Sequence, residues 1–347
     1  MTNRPSETTM RASAQAAQSM DVTTAQSRQA VPVVHTEVRI KGEALSVPSV
    51  EISGRTVITT GNWLRVAAVR DEELVEGDTV ADPESFISRV RETGLNADIF
   101  TFPQRLPDTT PKYAYHLEWD NFAIIPITTF SEWWDKRVES SVRRAVRKAA
   151  KAGVVVKLVV FDDAFVQGIV NINNESPFRQ GRPFWHFQKS FDAVKRENST
   201  YAERNDFLGA YYQDELIGFI RMTYADRTAN IVQILSMMKH YDKRPANALI
   251  AKAVEICAQK GVSHLIYYNY IYNDPKSSLT EFKRRNGFEK VLLPRYYIPL
   301  TPKGKIALRL GLHRSLVKHI PQSLVTHLLK IRSLWYARRV KAVEGAI

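Results

Sequence analysis

Residues 207–238, FLGAYYQDELIGFIRMTYADRTANIVQILSMM, consist of three β-rich runs separated by two polar turns. Branched and aromatic side chains dominate the runs, which are Phe207–Tyr212, Leu216–Tyr224 and Ala229–Met238. The turns, Gln213–Glu215 and Asp226–Arg227, are short, and turns of this length join neighbouring antiparallel strands. The stretch therefore predicts three consecutive antiparallel strands.

Residues 239–261, KHYDKRPANALIAKAVEICAQKG, predict a helix directly after the third strand. Pro245 suits the first turn of a helix, and Gly261 suits the position just past its end. Apolar side chains recur between them at helical spacing, at Leu249, Ile250, Ala253, Val254 and Cys257. We expect a helix over Ala246–Gln259, in which the single cysteine fills the core.

The flanking sequence alternates between strand and helix patterns. A helix beginning near Ser131 and stopping at Gly153 is predicted by Val138, Val142, Val146 and Ala149. Further strands are predicted at Val154–Phe161, His264–Tyr272 and Phe288–Pro299, and further helices at Ala164–Asn173 and Ser277–Arg285. The predicted fold class is α+β, with a mixed, mainly antiparallel central sheet flanked by helices.

The chain divides into four parts. Residues 1–32 are rich in Ser, Thr, Ala and Gln and are predicted to be disordered, without the features of a signal peptide. Residues 33–130 carry short alternating runs broken by turns and predict a smaller, irregular β region with one helix, whereas 131–300 form the main domain. Residues 301–347 predict a basic, amphipathic helical tail, and no internal sequence repeat is evident.

Positive charge is concentrated near the end of the chain. The net charge is +13, yet fifteen Lys and Arg lie between Lys283 and Lys341 against one acid, Glu289, so the other residues sum to about −1. Such a segment favours an anionic partner, and the neutral remainder argues against DNA binding by the whole protein. Apolar and basic side chains separate on the tail helix, which favours an anionic membrane surface, although packing on its own domain is the alternative.

The order of the predicted elements resembles the GNAT acyltransferase superfamily over about Arg137–Pro299. The resemblance implies a GNAT-like fold and an acyl-CoA donor, acetyl-CoA before longer ones, whose pyrophosphate binds backbone N–H groups of the turn after the third antiparallel strand. That turn is also where this sequence departs from the family, because it contains no glycine. The cofactor-binding residues implied are Met238, Lys239, Lys243, Arg244, Ala246 and Asn247.

Three segments are similar to the Fem-type branch, which adds amino acids to cell-wall precursors. They are VRRAVRKAAKAGV at 142–154, RQGRP at 179–183 and LTEFKRRNGF at 279–288. The lysine followed four residues later by glycine in the third segment is the most specific mark. It places Lys283 near the transferred carbonyl or a substrate phosphate, with a solvated helix face as the alternative. In this light residues 33–130 are a candidate for a degenerate GNAT half.

Amine acylation needs a proton route and a stabiliser for the oxyanion. The tyrosine-rich strand at 267–272 offers phenols, so Tyr268 and Tyr270 join Lys283 as catalytic candidates, with a structural role as the alternative. We expect substrate contacts from Arg179, Arg182, Trp185 and Asn273. No spacing typical of a metal site or a dinucleotide loop is present, so no metal is expected.

The hypothesis drawn from these features is an N-acyltransferase that moves an acyl group from acyl-CoA to an amine of a sugar, an amino acid or a lipid-linked cell-envelope precursor. Two alternatives stay open: transfer from aminoacyl-tRNA, and a non-catalytic scaffold at a membrane surface. Because no run approaches the roughly 20 apolar residues of a spanning helix, we expect a cytoplasmic protein, peripheral on the inner face of the membrane.

The tail prediction can be checked by liposome flotation. Each Lys or Arg near an anionic surface contributes about 1 kcal/mol to binding, so the full chain should float with anionic vesicles and a chain ending at Pro299 should not. Equal flotation of both chains, or of neither, would remove the membrane hypothesis.

Overall fold

The computed structural model describes residues 31–40, 43–179, 182–271 and 277–314, and within them one mixed sheet of 12 strands. The larger sheet consists of β1 Val34–Ile40, β2 Glu43–Ile52, β3 Arg55–Thr60, β4 Val66–Val69, β5 Ile99–Pro103, β6 His116–Pro126, β7 Val155–Val159, β10 Asn205–Tyr212, β11 Glu215–Ala225, β12 Thr228–Ser236, β13 His264–Asn269 and β14 Glu289–Pro299. A separate hairpin pairs β8 Phe178–Arg179 with β9 Arg182–Pro183. The helices are α1 Pro83–Glu92, α2 Ser140–Lys151, α3 Asp163–Asn174, α4 Phe191–Asn198, α5 Pro245–Gln259, α6 Ser278–Arg285 and α7 Pro302–Arg309.

The three strands predicted from residues 207–238 are confirmed as β10, β11 and β12, each antiparallel to the next. The β10–β11 loop contains Gln213 and Asp214, both at positive φ, as a tight hairpin turn requires. Helix α5 follows and packs on the sheet, with Cys257 fully buried as predicted. Burial raises the pKa of the Cys257 thiol to about 12, so the cysteine stays protonated at neutral pH. The mainly antiparallel, GNAT-like sheet flanked by helices is thus confirmed.

One topology occurs twice in the sheet. In the second half, β11 and β12 are antiparallel, α5 crosses over, and β13 returns parallel to β12. In the first half, β3 and β4 are antiparallel, α1 crosses over, and β5 returns parallel to β4. We propose that residues 33–130 are a shortened GNAT half, as the sequence interpretation anticipated, although no repeat is visible in the sequence itself.

The two halves exchange their last strands. β6 follows β5 in the chain but pairs with β13 of the second half, whereas β14 follows β13 but pairs with β5 of the first half. β6 and β14 pair with each other along nine residues, from Glu289↔Ile124 to Tyr297↔His116. The N-terminal region is therefore continuous with the main sheet.

The helix predicted to run from Ser131 is interrupted. A helical turn at Phe130–Glu132 continues as a π-helical turn at Trp133–Arg137, and α2 begins only at Ser140 because Val138 is extended and buried. The break leaves backbone carbonyls without helical partners, and Arg143 Nη1 donates to two of them, those of Trp134 at 2.9 Å and Val138 at 2.7 Å.

The first part of the predicted tail packs on the domain. Ala307 and Leu308 of α7 are buried with Ile99 of β5, and the N-terminal end of α7 is tied to Asp98 by Thr301 Oγ1 at 3.0 Å. A chain ending at Arg314 is therefore a better truncated control for flotation than one ending at Pro299, because it keeps α7. The rest of the tail, 315–347, lies outside the described residues, as do residues 1–30. No helix in the part of the chain that the structure describes is long and apolar enough to span a membrane.

Gly304 provides a test of this packing. A Cβ at this position would lie 1.9 Å from the backbone oxygen of Asp98, far inside van der Waals contact. We expect Gly304→Ala to lower the free energy of unfolding by about 2–3 kcal/mol, measured by chemical denaturation. Gly94→Ala is the matched control, because its Cβ would meet only a Val33 methyl group, at 3.4 Å. Equal stability of the two variants would contradict the docking of α7.

Candidate functional site

The parallel strands β12 and β13 part soon after they meet. Their register contains only three pairs, ending at Asn230↔Ile266, whereas β12 continues to Ser236 and β13 to Asn269. Past the divergence β13 pairs with β6, through Asn269↔Phe122. The divergence leaves a gap between the strands, with the turn into α5 at the end of one strand and α6 beside the other.

Lys283 lies on the β13 side of this gap and is fully buried. Its Nζ donates to the backbone oxygens of Tyr267 at 2.8 Å and Asn269 at 2.6 Å, and it lies 4.1 Å from the centre of the Tyr267 ring. Burial lowers the pKa of the ammonium to about 8. The solvated-face alternative for Lys283 is therefore wrong, and the side chain supports the shape of β13 directly.

The strand bound by Lys283 is irregular. Tyr268 adopts φ of 38°, and the pairing of β13 with β6 shifts register between Ile266 and Asn269. The alternation of side chains that a regular strand would have is therefore interrupted, and sequence spacing does not determine which faces Tyr268 and Tyr270 occupy. Both tyrosines are half-buried, and burial raises the pKa of the Tyr270 phenol, which favours its protonated form. Asn273, a predicted substrate contact, lies outside the described residues.

The turn from β12 into α5 contains the six predicted cofactor-binding residues, but its positive charges are largely paired. Lys239 Nζ donates to Glu215 at 2.6 Å, and His240 Nε2 lies 3.1 Å from the same carboxylate. Lys243 is 3.4 Å from Asp242. Arg244 is exposed, at φ of 59° immediately before α5, and Ala246 follows in the first turn of the helix. Asn247 donates from Nδ2 to Asn286 Oδ1 at 3.3 Å, which links the turn to α6.

An internal carboxylate occupies the first amides of this turn. Glu175 accepts from the backbone N–H of Met238 at 2.6 Å through Oε2 and from that of Lys239 at 2.8 Å through Oε1. Arg179 lies 3.5 Å from the same carboxylate and donates to the backbone oxygens of Ser236 at 2.7 Å and Ile172 at 2.8 Å. Glu175 was not predicted; its only sequence signal is the four-residue spacing to Arg179, which is common in helical ion pairs.

Through these contacts Arg179, a predicted substrate contact, holds the end of β12 and the end of α3 together. Its side chain is 10% exposed, and its guanidinium stacks 4.5 Å from the centre of the Phe184 ring.

Another predicted substrate contact, Trp185, is 59% exposed, and Lys189 Nζ lies 4.0 Å from the centre of its ring. The neighbouring His186 is buried, and burial lowers its pKa to about 3. The side chain of Arg182 is outside what the structure describes.

The pyrophosphate of acyl-CoA does not fit the start of the turn in this arrangement. Two amides that would bind an anion already bind the Glu175 carboxylate, and a phosphate there would meet a like charge.

Elsewhere, His116, Glu118 and His313 form a group of side chains of the types that bind metal ions. Glu118 Oε1 already accepts from His313 at 2.6 Å and Arg314 at 2.7 Å, and these hydrogen bonds hold the turn after α7 against β6.

No family model and no curated protein matches the chain. Among solved structures, it is similar to the C-terminal domain of a protein assigned as a lysylphosphatidylglycerol synthetase from Agrobacterium fabrum, with 14% identity over 74% of this chain and 85% of that chain and a TM-score of 0.48. L-PGS from Bacillus licheniformis has 13% identity over 81% of this chain and 86% of its own, with a TM-score of 0.47. FemX has 10% identity over 76% and 88%, with a TM-score of 0.46. The fold assignment rests on the strand order described above.

Lys283→Ala tests the role of the buried ammonium. Removing it leaves two backbone oxygens of β13 without a donor and opens a cavity, so we expect the free energy of unfolding to fall by about 2–4 kcal/mol in chemical denaturation. Arg284→Ala is the neighbouring control, because Arg284 is half-exposed and paired with Glu281 and Glu139, so its loss should leave the free energy of unfolding close to that of the wild type. If both variants are equally stable, Lys283 does not support β13.

Proposed function

We propose that the chain is a GNAT-fold transferase that joins an acyl or aminoacyl group to an amine. The observation that carries the proposal is the gap between β12 and β13, which has a helix N-terminus at one end and the bulged strand held by Lys283 on its other side. A gap of this kind supports acyl transfer because backbone N–H groups can bind an anionic donor or a developing oxyanion.

Within this proposal Lys283 is a positioning residue. Because its Nζ is buried and bonded to two carbonyls of β13, it sets the path of the strand that carries Tyr268 and Tyr270. These phenols are the candidates for donating a proton to the leaving group. The raised pKa of Tyr270 suits it to giving up a proton only to a strong base, such as a departing alkoxide.

For the donor, we favour aminoacyl-tRNA over acyl-CoA. Glu175 opposes a pyrophosphate at the start of the turn, as argued above. Helix α2 contacts that turn and presents exposed basic side chains, namely Arg144, Arg147, Lys148 and Lys151. A basic helix face beside a transfer site suits a polyanion larger than a nucleotide. The acceptor proposed is an amine of a sugar, an amino acid or a lipid-linked envelope precursor.

Binding experiments on the full chain separate these donors. We expect aminoacylated bulk tRNA to bind the wild type. In the triple variant Arg144→Ala, Arg147→Ala, Lys148→Ala, the slope of log K for tRNA binding against log salt concentration should be smaller in magnitude by about 2.

For the other donor, we expect acetyl-CoA to bind Glu175→Gln at least tenfold more tightly than the wild type, by calorimetry, because the substitution removes the competing charge. Glu215→Gln is the matched control, since Glu215 pairs with side chains of the turn and not with its amides.

Two results would count against this assignment. Tight acetyl-CoA binding by the wild type, unchanged in Glu175→Gln, would make acyl-CoA the donor. Absence of binding by both donors in all variants would favour the scaffold alternative.

A further inference from the structure

A cavity of about 440 Å³ lies away from the turn into α5, where the N-terminal half meets the paired start of β12 and β13. The N-terminal half contributes Glu72, Glu73 and the loop 103–107, and the second half contributes Asn230 and Ile266 among others. Asn230 and Ile266 form the last pair before the strands diverge. The cavity therefore exists only because the two halves share one sheet, and it lies next to the point at which the gap begins.

The charges around the cavity balance. Glu72, Glu73 and Asp226 line it together with Arg105, Arg227 and Arg295, three acids and three bases. Arg295 is held by Glu72 and by Asp120, the latter at 2.6 Å, whereas Arg105 donates to backbone oxygens that include that of Glu72, at 3.1 Å. Burial, aided by Arg227, lowers the pKa of His264, which keeps its ring neutral at neutral pH. A ligand with a net charge would find no unbalanced partner in this wall.

Two polar atoms in the wall have no hydrogen-bond partner within the described residues. They are Asn230 Nδ2, a donor, and Glu72 Oε2, an acceptor, and Asn230 as a whole is only 4% exposed. Buried polar atoms left unpaired cost free energy, so a pair of them in one cavity points to a partner that satisfies both. The terminal torsions of Asn and Glu are soft, which lets both groups turn toward a ligand.

The rest of the wall is mainly apolar. Phe122, Ile266, Leu293 and Leu106 contribute side chains from both halves. We propose that this cavity binds a neutral amide with an apolar substituent, whose carbonyl accepts from Asn230 and whose N–H donates to Glu72. The proposal does not depend on the donor or on the transfer reaction, because it uses none of the residues of the turn or of Lys283.

Three related probes that share the phenylalanine side chain test the requirement for neutrality. They are N-acetyl-L-phenylalaninamide, which is neutral, N-acetyl-L-phenylalanine, which is anionic, and L-phenylalaninamide, which is cationic at a pH of about 6, where all three are compared. By calorimetry on the full chain, we expect the neutral probe to bind at least tenfold more tightly than either charged probe. No saturable binding of the neutral probe up to about 10 mM, or equal binding of all three, would overturn the proposal.

Two cavity variants and one control locate the binding. Asn230→Leu should weaken the neutral probe about tenfold, the effect of one lost hydrogen bond, without lowering the melting temperature, because it removes an unpaired donor. Leu293→Trp should abolish binding by filling the cavity. Asn173→Leu, an equally buried asparagine of α3 outside the cavity, should bind the probe like the wild type. Unchanged binding in Asn230→Leu would show that this amide does not contact the ligand. A clear fall in the melting temperature of this variant would show that the amide serves the fold. Either result would overturn the proposal.

Discussion

The structure depends on the exchange of β6 and β14 between its two halves. Each strand leaves the half in which it begins and pairs with the other half, and the nine-residue ladder between them makes one sheet of two topological units. Breaking either strand would expose backbone groups along both halves at once. β6 also pairs with β13 on the side opposite β12, at 264–266 and again at Asn269, so β13 keeps a partner beyond the point where it leaves β12. The gap at the candidate site therefore has a paired strand, β13, along one side.

Buried charged groups then fix the geometry on both sides of the gap. Lys283 holds two carbonyls of the bulged β13, and Glu175 with Arg179 holds the amides and the carbonyl at the end of β12. Each group is shielded from water and bonded mainly to backbone, so each defines a chain path more than a surface charge. Through these backbone contacts Lys283 and Arg179 shape the candidate site.

The electrostatic surroundings of the donor-binding turn differ from those of the cavity. At the turn, the Glu175 carboxylate already binds the amides that an anionic donor would use. A donor must therefore displace this carboxylate or bind to other groups. In the cavity, acids and bases balance, and two polar atoms have no partner among the described residues, so selectivity there would come from hydrogen bonding and not from charge. Both conditions arise from residues far apart in sequence, Glu175 with Met238 and Glu72 with Asn230.

The sequence by itself determined the local elements of the second half. Alternating β-rich runs with short turns at 207–238 and a helical apolar face at 245–259 are properties of neighbouring residues, which is why β10–β12, α5 and the burial of Cys257 were all predictable. The pairing of β6 and β14 across halves was not predictable, because strand partners separated by well over a hundred residues leave no periodic signal. The break before α2 and the bulge at Tyr268 depend on Arg143 and Lys283 satisfying carbonyls within the tertiary structure. Glu175 was invisible for the same reason, since only the folded chain brings its carboxylate to the amides of Met238 and Lys239.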